Sequence, residues 1–94
     1  MYTVYVLYSE KINRFYIGYS ENVENRIEYH NNPQHNHIWT KRGIPWVIFL
    51  TIDELSHGQA RKIEIHIKKM KSTTYLKNLT KYPEIIEKLK SKYR

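Results

Sequence analysis

Three side chains able to handle protons and anions are gathered in one short stretch, Tyr16 to His30, which reads YIGYSENVENRIEYH. A phenol and an imidazole can each donate or accept a hydrogen bond, and a guanidinium is a permanent cation with a planar fork of donors. The stretch passes from a short apolar strand through Ser20 into an acidic, polar first turn, then along a helix. At about 100° per residue, Val23, Arg26, Ile27 and His30 fall within roughly a 100° arc. Val23 and Ile27 face the core, so Arg26 and His30 are carried at its margin, beside the strand end that holds Tyr16. The three groups therefore converge on one pocket.

The elements that must position them are legible on either side. Residues 2–8 (YTVYVLY) are β-branched and aromatic and too few for a typical helix, which predicts a strand. A polar connection over residues 9–14 leads to a second strand over residues 15–19, and the two should pair as an antiparallel hairpin. That pairing brings Tyr5 into the neighbourhood of Tyr16, in a register the sequence leaves open. The first helix is expected over roughly residues 21–31, with Ser20 or Asn22 as N-cap and Glu21 and Glu24 at the positive end of its dipole. Asn31-Asn32-Pro33 stops it. Residues 34–45, with His35, His37, Lys41 and Arg42, read as a polar irregular loop of the size that often binds something. The nearly continuous apolar run over residues 46–52 is the candidate for the buried central strand.

Residues 62–67 alternate like a strand, but their flanks decide for a helix over residues 59–71. Ser56-His57-Gly58-Gln59 fits a capping box, and Ala60, Ile63, Ile67 and Met70 recur at helical spacing. On that helix Glu64 lies roughly 80° from the centre of the apolar stripe, and His66 points to the opposite side. Ser72 opens a short link through Tyr75, Leu76 and Leu79. Pro83 then suits the first turn of a last helix with Ile85, Ile86, Leu89 and Tyr93 on its apolar face.

The 94 residues suit one domain with two packed layers and a modest core. No run approaches the roughly 20 apolar residues of a membrane span, and the N-terminus lacks a signal-peptide pattern. The absence of cysteine rules out a disulfide framework and fits the cytoplasm. Charge is one-sided. Residues 1–56 hold 5 Lys/Arg against 6 Asp/Glu, a net of −1, whereas residues 57–94 hold 11 against 3, a net of +8. Such basicity suggests a polyanion partner, with nucleic acid ahead of a membrane surface.

Tyr5 on the first strand, Tyr16-Ile17-Gly18 on the second, Arg26 and His30 on a helix, and a lone acid, Glu64, on a later one resemble in order and spacing the GIY-YIG nuclease domain. Thr3-Val4-Tyr5 stands where the family has Gly-Ile-Tyr, and Tyr16-Ile17-Gly18 is intact. The resemblance extends to Thr40-Lys41 ahead of Pro45-Trp46 and to the Lys-rich run over residues 67–72. It looks most like the small stand-alone members akin to an excision-repair incision subunit. It implies an α+β fold over residues 1–94, a three-stranded antiparallel sheet flanked by three to four helices.

The resemblance also implies a metal-dependent endonuclease that hydrolyses DNA phosphodiesters. Such chemistry needs an activated water, neutralised phosphoryl oxygens and a stabilised leaving oxygen. Glu64 would hold one Mg²⁺ or Mn²⁺ that keeps most of its waters. Arg26 would fork onto a phosphate, His30 and a tyrosine would orient or deprotonate the water, Tyr5 being the proton acceptor and Tyr16 the positioner. A free phenol has a pKa near 10, so a basic tyrosine needs help from Arg26, the metal or His30. Each residue has a plainer reading: half-buried strand tyrosines, a surface arginine, a helix-end histidine, and Glu64 as half of an (i, i+4) pair with Lys68. Gly18 reads as structural, allowing close backbone packing beneath the site.

Lys68, Lys69, Lys71 and Lys77, with Lys41 and Arg42 in the loop, are candidates to track a phosphate backbone. His35-x-His37 lacks a third ligand for zinc, although His37 could touch the substrate, and Asn78 could stand where many family members have a late asparagine. So small a module leaves little surface for base readout, which predicts low sequence specificity, selection of branched or damaged DNA, or a targeting protein partner, as a monomer or weak homodimer. A non-catalytic nucleic-acid-binding module with the same fold is the alternative. It has no need of Glu64, whose charge would repel phosphate.

Overall fold

A computed structural model describes residues 1–34 and 38–94, with the backbone alone at residues 38 and 39. Strands β1 (Tyr2–Ser9) and β2 (Arg14–Ser20) form the expected hairpin, followed by helix α1 (Val23–Asn31) and a short helix α2 (Ile38–Arg42). Strand β3 (Val47–Leu55) then precedes α3 (His57–Met70), α4 (Thr73–Lys81) and α5 (Pro83–Lys92). The sheet is antiparallel with order β2-β1-β3. The architecture is the α+β fold expected, with five helices among the described residues where the sequence suggested three to four.

The central strand is β1, and this corrects the reading of residues 46–52. Val4, Tyr5, Val6 and Leu7 are all buried, whereas β3 is an edge strand whose Val47 and Ile48 are 54% and 50% exposed. An apolar run signals burial of a strand's faces, but it does not say how many neighbours the strand has. Alternation along β1 sends Val4 and Val6 to one core with Ile52, Leu55, Ala60, Ile63 and Ile67. It sends Tyr5 and Leu7 to a second, smaller core with Trp46, against which Tyr16, Val23 and Ile27 pack. Helices α3, α4 and α5 thus cover one face, and α1 covers the other.

Local signals explain most element ends. Asn22 caps α1, its Oδ1 accepting from the Asn25 N–H at 3.1 Å, so the helix begins at Val23 and not at Glu21. The Ser56/Gln59 capping box forms as read. Two segments read as irregular are helical. Lys41 and Arg42 lie on α2, and the link after Ser72 is α4, capped by Ser72 Oγ at 3.1 Å from the Tyr75 N–H and burying Leu76 and Leu79. Three threonines and a tyrosine hide a helix that tertiary burial of two leucines stabilises.

Candidate active site

The hairpin register pairs Tyr5 with Gly18 and Leu7 with Tyr16, so Tyr5 and Tyr16 point to the same face of the sheet, on adjacent strands. Gly18 makes this possible. A Cβ there would stand 2.6 Å from Tyr5 Oη and 2.7 Å from its Cζ, so the Tyr5 ring lies directly over the glycine. The ring crosses β2, an edge strand, where there is no side chain to stop it.

Helix α1 delivers the other two groups. Its apolar Val23 and Ile27 dock on the Tyr5–Leu7–Trp46 core, which turns His30 inward. His30 is 4% exposed, its Nε2 lies 3.2 Å from Tyr5 Oη, and its ring stacks obliquely on Tyr16 with centroids 4.4 Å apart. Arg26 is half-buried one turn earlier, its guanidinium 4.7 Å from the centre of the Tyr29 ring. The same guanidinium lies within electrostatic range of the Tyr5 hydroxyl.

Burial raises the Tyr5 pKa above the phenolic value, and Arg26 pulls it back down. Tyr16 and the Glu64 carboxylate push it up again. Tyr5 is therefore the point at which all four other candidates act: His30 by contact, and Arg26, Tyr16 and Glu64 by their fields. Burial lowers the His30 pKa and the Arg26 charge lowers it further, so the imidazole is neutral at pH 7.

Glu64 reaches this neighbourhood from α3, which packs on β1 and β2 from the opposite face. Its side chain is 15% exposed and its carboxylate lies 3.2 Å from Lys68 Nζ, so the plain (i, i+4) pair is formed. Among the described residues no three His, Asp or Glu side chains cluster as a closed metal cage. A single carboxylate offers hard oxygen donors of the kind that hold a divalent ion keeping most of its waters.

The remaining candidates scatter. Lys68 and Lys71 line one cleft between β2 and the α3–α4 junction, and Lys77 lines the adjoining one. Lys69 lies elsewhere, beside Lys62, His66 and Tyr93, and Lys41 and Arg42 are exposed on α2. Asn78 sits on α4, with α3 and α5 and not with Tyr5 and His30; its carbonyl accepts from the Tyr82 N–H at 2.8 Å. His66, read as pointing away from the core, is covered by α5, its Nδ1 2.8 Å from Tyr93 Oη. His35 and His37 lie outside the described residues.

Sequence reasoning missed a support beneath the site. Asn31 clamps the backbone of Trp46, accepting from its N–H at 2.6 Å and donating to its carbonyl at 3.0 Å. Trp46 Nε1 donates to the Thr40 carbonyl at 2.9 Å, and Gly43 leaves room for the indole. The Trp46 ring in turn stands edge-on to Tyr16, with centroids 6.2 Å apart.

Tyr5 and His30 thus meet at one buried hydroxyl, with the Arg26 guanidinium and the Glu64 carboxylate within electrostatic range. The GIY-YIG catalytic domain model matches residues 1–79, and the chain belongs to that nuclease family. No curated protein and no solved structure gives a significant match.

Proposed function

We propose that this protein is a metal-dependent endonuclease that hydrolyses DNA phosphodiester bonds with low intrinsic sequence specificity. The observation that carries the reading is the 3.2 Å approach of Tyr5 Oη to His30 Nε2, on a hydroxyl that Arg26 and Glu64 also influence. A structural tyrosine needs one partner. This one is embedded among groups of opposite charge.

Burial holds the Tyr5 proton on, which argues against a free phenolate as the base. A relay removes the difficulty. Tyr5 Oη takes a proton from the attacking water as its own proton passes to Nε2 of neutral His30, so Tyr5 never becomes a phenolate and His30 ends the step as an imidazolium, against the pull of burial and the Arg26 charge. This requires the His30 tautomer protonated at Nδ1, which leaves Nε2 as the acceptor. Arg26 binds a non-bridging phosphoryl oxygen and stabilises the charge that builds there. Tyr16, stacked on His30, fixes the imidazole and borders the phosphate. Glu64 would hold the divalent ion, which supplies charge neutralisation at the phosphoryl and leaving oxygens.

Low specificity follows from the kind of contacts on offer. The exposed cations suit phosphates, which position a duplex without reading it. The lack of cysteine suits a reducing cytoplasmic setting, and no described helix is long and apolar enough to cross a membrane.

One observation favours the second reading, a non-catalytic nucleic-acid-binding module: Glu64 already has Lys68 as a partner. The two readings separate on supercoiled plasmid incubated with the protein and Mg²⁺ or Mn²⁺. Nicking that EDTA abolishes supports the endonuclease. Salt-dependent binding without nicking in either metal supports the module.

A further inference from the structure

Two clefts on the α3–α4 face, of about 340 and 300 Å³, share Asn13, Arg14, Phe15 and Thr73, and so form one continuous groove. Its inner end is lined by Lys68, the partner of Glu64, and therefore opens within one helical turn of the candidate active site. From there it follows β2 past Lys71 and ends between the β1–β2 turn and α4.

The outer end has an aromatic floor. Phe15 lies between Tyr8 and Phe49, with ring centroids 4.9 Å and 5.0 Å away, and all three rings are partly open. Arg14 and Lys77 stand exposed above this floor. Lys71 adds a second signal: it adopts φ 46°, the left-handed conformation in which glycine is favoured at a helix end, yet the position carries a cation that lines the groove.

A cationic groove with open aromatic rings is suited to an unpaired strand. Phosphates follow the cations, and bases stack on the rings. Paired bases inside a duplex have no free face to offer. We infer that this groove binds single-stranded DNA leading away from the catalytic site, so that the preferred substrate carries an unpaired arm beside the cut. This rests on the nuclease reading for the word substrate, but not for the binding itself.

The test is fluorescence anisotropy with the full chain in EDTA, using a labelled oligothymidylate of roughly 12 nucleotides and a blunt duplex of the same length. Arg14→Ala with Lys77→Ala changes two exposed side chains, and unaltered circular dichroism and melting check the fold. The expected result is single-strand affinity down about tenfold, with a salt slope shallower by about 1.4 for two lost phosphate contacts, and a smaller loss on duplex. Ultraviolet crosslinking of a bromodeoxyuridine-substituted strand should label peptides holding Phe15 or Phe49. Unchanged single-strand affinity in the double variant, an equal loss on both DNAs, or crosslinks confined to other peptides would overturn the inference. Separate failure is visible. A protein that cuts no DNA but loses single-strand affinity in the double variant keeps the groove and loses the nuclease; one that nicks plasmid while the double variant binds normally keeps only the nuclease.

Discussion

The Tyr5 ring occupies the space that a side chain at Gly18 would fill. The two residues face each other across the hairpin, and a methyl group on Gly18 would fall 2.6 Å from the Tyr5 hydroxyl. Tyr5 is 1% exposed and has no room to retreat. Gly18→Ala should therefore displace the phenol from His30, cost about 1–3 kcal/mol as overpacking does, and lower cleavage at least tenfold. Urea unfolding and single-turnover cleavage measure the two effects. A variant of normal stability and activity would mean that the ring position is immaterial.

Tyr5→Phe keeps the packing and deletes the hydroxyl. His30 Nε2 loses its contact with the Tyr5 hydroxyl, at a cost of about 1 kcal/mol. If the proton relay operates, cleavage falls by about 10²-fold or more. Loss of stability without loss of rate would assign Tyr5 a packing role.

Burial and Arg26 lower the His30 pKa, which fixes the sign of a pH effect. Below the unfolded value of about 6.5, the unfolded chain binds a proton that the folded chain resists. Stability is therefore full above that value and declines as pH falls toward the folded pKa. His66 is shifted in the same direction, again by burial first and then by Lys92. Cleavage should follow, because only the neutral His30 can accept a proton. Thermal melts from about pH 7.5 down to about pH 5 should show the decline, and His30→Gln should flatten part of it. An unchanged profile in that variant would place the titration elsewhere.

Asn31 holds both polar groups of the Trp46 backbone. Asn31→Ala leaves a part-buried N–H and C=O without those bonds and should cost about 1–3 kcal/mol. Its effect on cleavage should be smaller than that of Tyr5→Phe, because Trp46 bears on the site through its edge contact with Tyr16. Chemical denaturation compared with cleavage rate tests this ordering.

Much of the site is legible in the chain because one stretch carries it. The helical spacing of Val23, Ile27 and His30 fixes the inward face of α1, and Tyr16-Ile17-Gly18 lies on the strand immediately before it. What could not be read depends on distant partners. The apolar run from Trp46 gives no hint that β3 lies at the sheet edge, because that follows from β1 pairing with both other strands. Helix α4 is weak in propensity and strong in burial, so its residues read as a link until Leu76 and Leu79 are seen in the core. Asn31 reads as a helix stop, and its clamp on Trp46 spans 15 residues that no local pattern connects. The downward shift of the His30 pKa is likewise a product of packing, not of sequence.

In the proposed endonuclease, Glu64 serves a divalent ion at a phosphodiester, beyond its pairing with Lys68. The most direct measurement is single-turnover cleavage of labelled DNA across a Mg²⁺ titration, wild type beside Glu64→Ala, with DNA affinity measured in parallel. The expected result is a rate about 10³-fold lower in Glu64→Ala at every Mg²⁺ concentration, with DNA affinity unchanged or slightly tighter because a negative charge has left a basic surface. Equal rates in the two proteins, or a wild type that binds DNA and never cuts it, would contradict the account.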